Sequence, residues 1–131
     1  MTHDHYLAAI VPCNDLAASE AFYGRLGFLR SDPSGGDEGY VILSDGHGGH
    51  LHLTTTVPGW VSPGTNPFGV YLYSREVDQL ATQFQDEIIG ATAAGHTEWG
   101  MYEFAASDPN GTLVRVGWPS SEWNEMNRRD G

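Results

Sequence analysis

Residues 98–116 read Glu98-Trp99-Gly100-Met101-Tyr102-Glu103-Phe104-Ala105-Ala106-Ser107-Asp108-Pro109-Asn110-Gly111-Thr112-Leu113-Val114-Arg115-Val116, and the pattern is that of a β-hairpin. Proline presets φ inside a turn, and Asn-Gly accepts positive φ. Asp108-Pro109-Asn110-Gly111 therefore reverses the chain. The runs on either side are rich in β-branched and aromatic residues, which favour strands. With a four-residue turn, Ser107 pairs with Thr112 and Phe104 lies opposite Arg115. Alternation then sets Tyr102, Phe104 and Arg115 on one face. Trp99 stands at the lip of that face, just ahead of the first strand.

Outward from the hairpin the same kinds of element recur. Residues 75–89 form a helix, because Val77, Leu80, Ala81 and Phe84 fall at i, i+3, i+4 and i+7. Gly90 stops it, and residues 91–97 are irregular or a weak strand. Residues 68–73 read as a strand that opens on Phe68. Before it lies a long proline-rich loop, residues 56–67, which carries Trp60 and is long enough to fold over a binding site. His50-Leu51-His52-Leu53-Thr54-Thr55 alternates like a half-buried strand, with His50, His52 and Thr54 on one face. Residues 39–44 make another strand, and the glycine-rich segment 45–49 turns the chain between the two.

At the N-terminal end, residues 6–12 are a strand, followed by a helix capped by Asn14 or Asp15. Leu16, Phe22, Tyr23 and Leu26 give that helix its apolar stripe, and Gly27 ends it. Residues 28–30 form a short strand and residues 31–38 a polar loop. Past the hairpin, residues 119–131 are a polar tail with a short helix around Trp123.

The order contains a repeat. Phe22 and Phe84 differ by 84 − 22 = 62, and the turns at Asp45 and Asp108 by 108 − 45 = 63. A unit of strand, helix and three strands therefore occurs twice. The fold expected is α+β, two βαβββ modules with open curved sheets around a groove, in one domain spanning residues 1–131. Module one covers about residues 6–55 and module two about residues 68–118.

Composition narrows the function. The formal net charge is −11, and all six basic residues are arginine. This balance repels nucleic acid and anionic membranes and draws cationic ligands, while also serving solubility. The chain lacks an apolar run long enough to span a bilayer and a basic-then-apolar leader, so a soluble cytoplasmic protein is expected. The single Cys13 excludes an internal disulfide framework. The glycines at 46, 48 and 49 lack phosphate-loop spacing and a lysine. No Gly-x-Ser-x-Gly elbow occurs, and Asp37-Glu38 and Asp86-Glu87 are solvating pairs. No catalytic residue is assigned.

Ile10-Val11-Pro12-Cys13-Asn14-Asp15-Leu16 with Ala21-Phe22-Tyr23-Gly24-Arg25-Leu26-Gly27-Phe28 resembles the first unit of the vicinal-oxygen-chelate superfamily. Asp108-Pro109-Asn110-Gly111 ahead of the last strand resembles its final turn. Phe22-Tyr23-Gly24-Arg25-Leu26-Gly27-Phe28, Glu98-Trp99-Gly100 and the Asp108–Arg115 ending are similar to the bleomycin-resistance branch. Enzymes of the superfamily, glyoxalase I and the extradiol dioxygenases among them, hold a divalent metal. The resemblance places their ligand positions at Ala8, His52, Val70 (or Phe68) and Arg115. Three of these four lack a ligand, and a fixed arginine charge opposes a cation, so neither metal nor cofactor is expected.

The resemblance implies sequestration of a planar, cationic antibiotic by contact, as with bleomycin-type drugs, whose thiazole rings are planar and whose tail is cationic. Trp99 matches the branch's ring-stacking tryptophan. Ligand-binding residues expected are Trp99, Tyr102, Phe104, Arg115, His52, Thr54, Trp60 and Phe68. A homodimer follows from the same likeness. The alternative is a metal-dependent lyase or dioxygenase built on His50 or His52.

Overall fold

The computed structural model describes residues 5–30 and 39–123; the predicted loop at 31–38 and the end of the tail lie outside them. The chain forms two compact units, Met1–Asn66 with Asp108–Gly111, and Pro67–Ser107 with Thr112–Gly131.

The first unit is a four-stranded sheet with one helix. Its strands are β1 (Ala9–Cys13), β2 (Leu29–Arg30), β3 (Tyr40–Ser44) and β4 (His50–Thr55), and α1 is Leu16–Gly24. The sheet order is β1-β4-β3-β2, with β1 parallel to β4 and the other pairs antiparallel. Asp15 caps α1 by accepting the Ala18 N–H at 3.0 Å, a device worth about 1 kcal/mol. Past the helix the chain turns through Gly27, whose positive φ a side chain would resist. Alternate strand residues face α1. Val11, Cys13, Val41, Leu43, Leu51 and Leu53 pack with Phe22, Tyr23 and Leu26 as the core.

The core is closed on one side by the turn residues 108–111. Tyr23 donates its hydroxyl to Asp108 Oδ2 at 2.7 Å, and Asn110 donates to Ser19 Oγ and accepts the Asn14 N–H. Asp108 and Asn110 are buried, yet these bonds satisfy their side chains. Gly111 has φ +83°, and a Cβ there would meet Pro63 Cα at 2.7 Å. Asp108 and Asn110 of this turn are thus packed polar groups.

The second unit repeats the plan. Its strands are β5 (Gly69–Tyr73), β6 (Gly95–His96), β7 (Met101–Ser107) and β8 (Leu113–Pro119), with α2 at Val77–Gln83. The order β5-β8-β7-β6, with β5 parallel to β8, matches the first sheet. The starts of β4 and β8 differ by 113 − 50 = 63, as the repeat requires. The helix is shorter than its periodicity predicts, and its buried positions are Val77 and Ala81, with Phe84 buried just after it. The weak sixth strand is present as two residues. Residues 120–123 open the expected C-terminal helix, and the Trp123 ring stacks on Tyr102 at 4.4 Å.

The hairpin register differs from expectation by one residue. Ser107 pairs with Leu113, so the loop holds five residues and Ala105, not Phe104, stands opposite Arg115. Thr112 is buried within the loop and takes no place in the ladder. A one-residue change of register exchanges the two faces of a strand. Tyr102 and Phe104 thus face α2, where Phe104 is 4% exposed and lies 6.0 Å from the Phe84 ring. Tyr102 donates to Asp78 of the helix at 2.6 Å. Arg115 shares the opposite, open face with Glu103.

Candidate functional site

The open face of the second sheet is built around Glu103. Its side chain is 3% exposed, and both carboxylate oxygens have partners. Oε2 accepts from Arg115 at 2.9 Å. Oε1 accepts the Trp99 indole N–H at 2.5 Å and, at a long 3.5 Å, the Tyr71 hydroxyl. Burying a carboxylate without partners costs several kcal/mol, and a charge-assisted set of bonds offsets that cost.

Backbone geometry makes the cluster possible. Tyr71 pairs with Arg115 across β5 and β8, and Gly117 pairs with Glu103 across β7 and β8. A Cβ at Gly117 would collide with the Tyr71 hydroxyl and lie 2.7 Å from Glu103 Cβ. Glycine here leaves the gap through which the phenol reaches the acid. Burial first, and the Glu103 charge second, push the Tyr71 phenol up to about 12.

Trp99 lies in the turn joining β6 to β7. Thr97 fastens that turn through its hydroxyl, which donates to the Met101 carbonyl and accepts the Met101 N–H. Gly100 supplies the positive φ. The indole is held at its nitrogen, yet the residue is 62% exposed. The Arg115 guanidinium carbon lies 5.4 Å from the ring centroid, a cation–π contact. Tyr73, exposed, extends the aromatic row from Tyr71 at 4.8 Å between ring centroids.

The open face of the first sheet carries His50, His52 and Thr54 on β4, as alternation predicts, beside Ile10, Tyr40 and Ile42. The Tyr40 hydroxyl and His52 Nδ1 are 2.6 Å apart. His50 stacks obliquely on Tyr6 at 4.3 Å. Among the described residues no three His, Cys, Asp or Glu side chains converge as a metal site would need.

The remaining expected residues are dispersed. Trp60 is 78% exposed on its loop, which is tied down nearby: Asn14 donates to the Val61 carbonyl and Asn66 to the Asn110 carbonyl. Phe68 stands exposed just before β5, its carbonyl accepting the Leu113 N–H. Val70 pairs with Val114, so the β5 residue beside Arg115 on the open face is Tyr71, not Val70 or Phe68. The open face of the second unit thus unites Trp99 and Arg115 from the expected set. It adds Glu103, Tyr71 and Tyr73, which sequence reasoning missed. An acid inside an apolar strand, facing a glycine in the next, was the available signal.

No family model matches the sequence, and comparison with curated proteins finds no match. Solved structures do match. A bleomycin-binding protein complexed with bleomycin is 28% identical, with a TM-score of 0.71 over 87% of this chain and 98% of that one. A bleomycin resistance determinant encoded on the transposon Tn5 is 26% identical, at TM-score 0.71 over 88% and 98%. TnmS3, an antibiotic binding protein from Streptomyces sp. CB03234, shares the fold at 23% identity and TM-score 0.64, over 92% and 99%.

The paired strand–helix–strand units and these likenesses define a protein of the vicinal-oxygen-chelate fold. Within that superfamily the chain is bleomycin-resistance-like.

Proposed function

We propose that the protein binds and sequesters a planar antibiotic of the bleomycin type, or a similar small molecule, by contact and without chemistry. The observation that carries this reading is the Trp99 ring, exposed on one side while its nitrogen is held by a buried carboxylate. An aromatic plane so fixed loses little entropy when a ring stacks on it. The likeness to the bleomycin-binding protein supports the same ligand class. Phe68 is proposed as a further contact on the second unit, His52, Thr54 and Trp60 as contacts on the first unit taken by itself, and the working form as a homodimer with two equivalent sites. The ligand's cationic part is drawn in by the net charge of −11.

Calorimetry with bleomycin tests the proposal. The wild type should bind near one equivalent per chain, and Trp99→Ala should weaken binding by roughly tenfold or more while melting normally. A parent that shows no heat with bleomycin, or a variant that binds as well as the parent, overturns the reading. Equilibrium sedimentation showing a monomer at micromolar concentration removes the dimer, and association rates that are flat in salt remove the steering role.

A further inference from the structure

The geometry points to Glu103 as the positioning residue of this face, and to the ligand as a neutral planar ring with a hydrogen-bond acceptor on its rim. This rests on the contact-binding reading and narrows it. Three observations converge. Among the described residues Glu103 is the one that touches both Trp99 and Arg115 through hydrogen bonds, and it is almost wholly buried. A carboxylate adds nothing that a hydrophobic residue could not supply to strand pairing, and burying one is strongly unfavourable without partners. What Glu103 does supply is geometry: it fixes the edge of the indole and the tip of the guanidinium together, with the cation over the ring at 5.4 Å.

The second observation is the unused donors. A guanidinium carries five N–H groups in a planar fork. Arg115 gives one nitrogen, Nη1, to Glu103, and its side chain remains 37% exposed. The N–H groups left over sit beside the exposed Trp99 ring. A ring laid against the indole would bring a carbonyl or carboxamide oxygen at its rim within their reach.

The third is charge. Glu103 and Arg115 cancel, so the cluster is neutral overall, but the carboxylate lies at the edge of the indole while the charge over its ring is the guanidinium. A cation stacked there would meet a like charge. The planar part of the ligand is therefore neutral, and any cationic part lies away from Trp99. Recognition at this face thus differs from the long-range attraction exerted by the whole chain.

The test titrates the full chain with two neutral probes, quinoline-2-carboxamide and quinoline, following the Trp99 indole N–H and the Arg115 side-chain signals by NMR. The wild type should bind the carboxamide roughly fivefold or more tighter than quinoline. Glu103→Gln should abolish that preference and release the Arg115 signals into fast exchange before any probe is added. Should Glu103→Gln fail to fold, Arg115→Gln replaces it, with the same loss of preference expected. Equal binding of both probes by the wild type, or binding of neither, overturns the ligand class. An unchanged preference and unchanged Arg115 signals in Glu103→Gln overturn the positioning role. A protein that ignores bleomycin yet keeps the probe preference would retain this inference and lose only the bleomycin reading.

Discussion

The two sheets have the same strand order but opposite solutions on their open faces. By register, Ile10, Tyr40, His52 and Thr54 of the first unit stand where Tyr71, Glu103, Arg115 and Gly117 stand in the second. Each unit therefore has a diagonal side-chain pair at the same place. In the first it is Tyr40 with His52, 2.6 Å apart; in the second it is Glu103 with Arg115 at 2.9 Å. One is a phenol and an imidazole, the other an ion pair with a tryptophan and a second phenol gathered on it. The backbone plan tolerates either. What separates them is the fourth position: Thr54 fills its place, while Gly117 leaves room for Tyr71 to reach Glu103. A small change in bulk decides whether the diagonal pair stays isolated or becomes the centre of a network.

The severest way to break this contrast is Gly117→Ala. The new methyl meets Glu103 Cβ and the Tyr102 carbonyl as well as the Tyr71 hydroxyl, so a flexible side chain alone cannot yield. A loss of about 3 kcal/mol is expected in denaturant unfolding. A variant as stable as the parent would mean that the gap is incidental. Tyr40→Phe probes the first unit's pair. It removes one hydrogen bond from half-buried His52 and should cost about 1 kcal/mol in denaturant unfolding. A variant as stable as the parent would show that the pair contributes nothing to its unit.

The smallest effect is in the phenols. Of six tyrosines, Tyr71 and Tyr102 are pushed up to about 12, the first mainly by burial and Glu103, the second by burial and its bond to Asp78. Tyr23, buried against Asp108, is raised further. A raised folded-state pKa favours the neutral phenol in the fold. The contribution is complete below pH 10, the ordinary value, and is lost as pH rises toward 12. Phenolate absorbance should therefore show Tyr23, Tyr71 and Tyr102 titrating later in the native protein than in denaturant. A native titration curve that matches the denatured one would contradict the packing of all three.

Much of the fold was legible because period is local information. Val77 and Ala81 on one helix, or Leu51 and Leu53 on one strand, declare their buried side without reference to anything distant. The repeat was legible for the same reason. The hairpin register was not, since Asp108-Pro109-Asn110-Gly111 suits a four-residue turn as well as the first part of a five-residue loop. The choice is made by Tyr23, Asn14 and Asn66, far away in sequence, which bond Asp108 and Asn110. From that single residue of slip followed the placement of Tyr102 and Phe104 on the wrong face. It also concealed Glu103, the group that organises the site. The placement of Trp99 and Arg115 did not depend on the slip, because Trp99 lies outside the ladder and Arg115 is on the open face in either register.

The hydrogen bond from the Trp99 indole to Glu103 has an optical consequence. Exciting an indole moves electron density out of its pyrrole ring toward the benzene ring. A carboxylate fixed at the pyrrole nitrogen, 2.5 Å away, lowers the excited state relative to the ground state. Such an internal Stark shift acts on absorption as well as on emission, because the charge is in place before the photon arrives. Water around the exposed Trp60 ring shifts only the emission, by reorienting afterwards. Light at the red edge of the absorption band should therefore select Trp99 from among the four tryptophans. The chain carries, at the lip of its open face, a chromophore that can be addressed by colour alone.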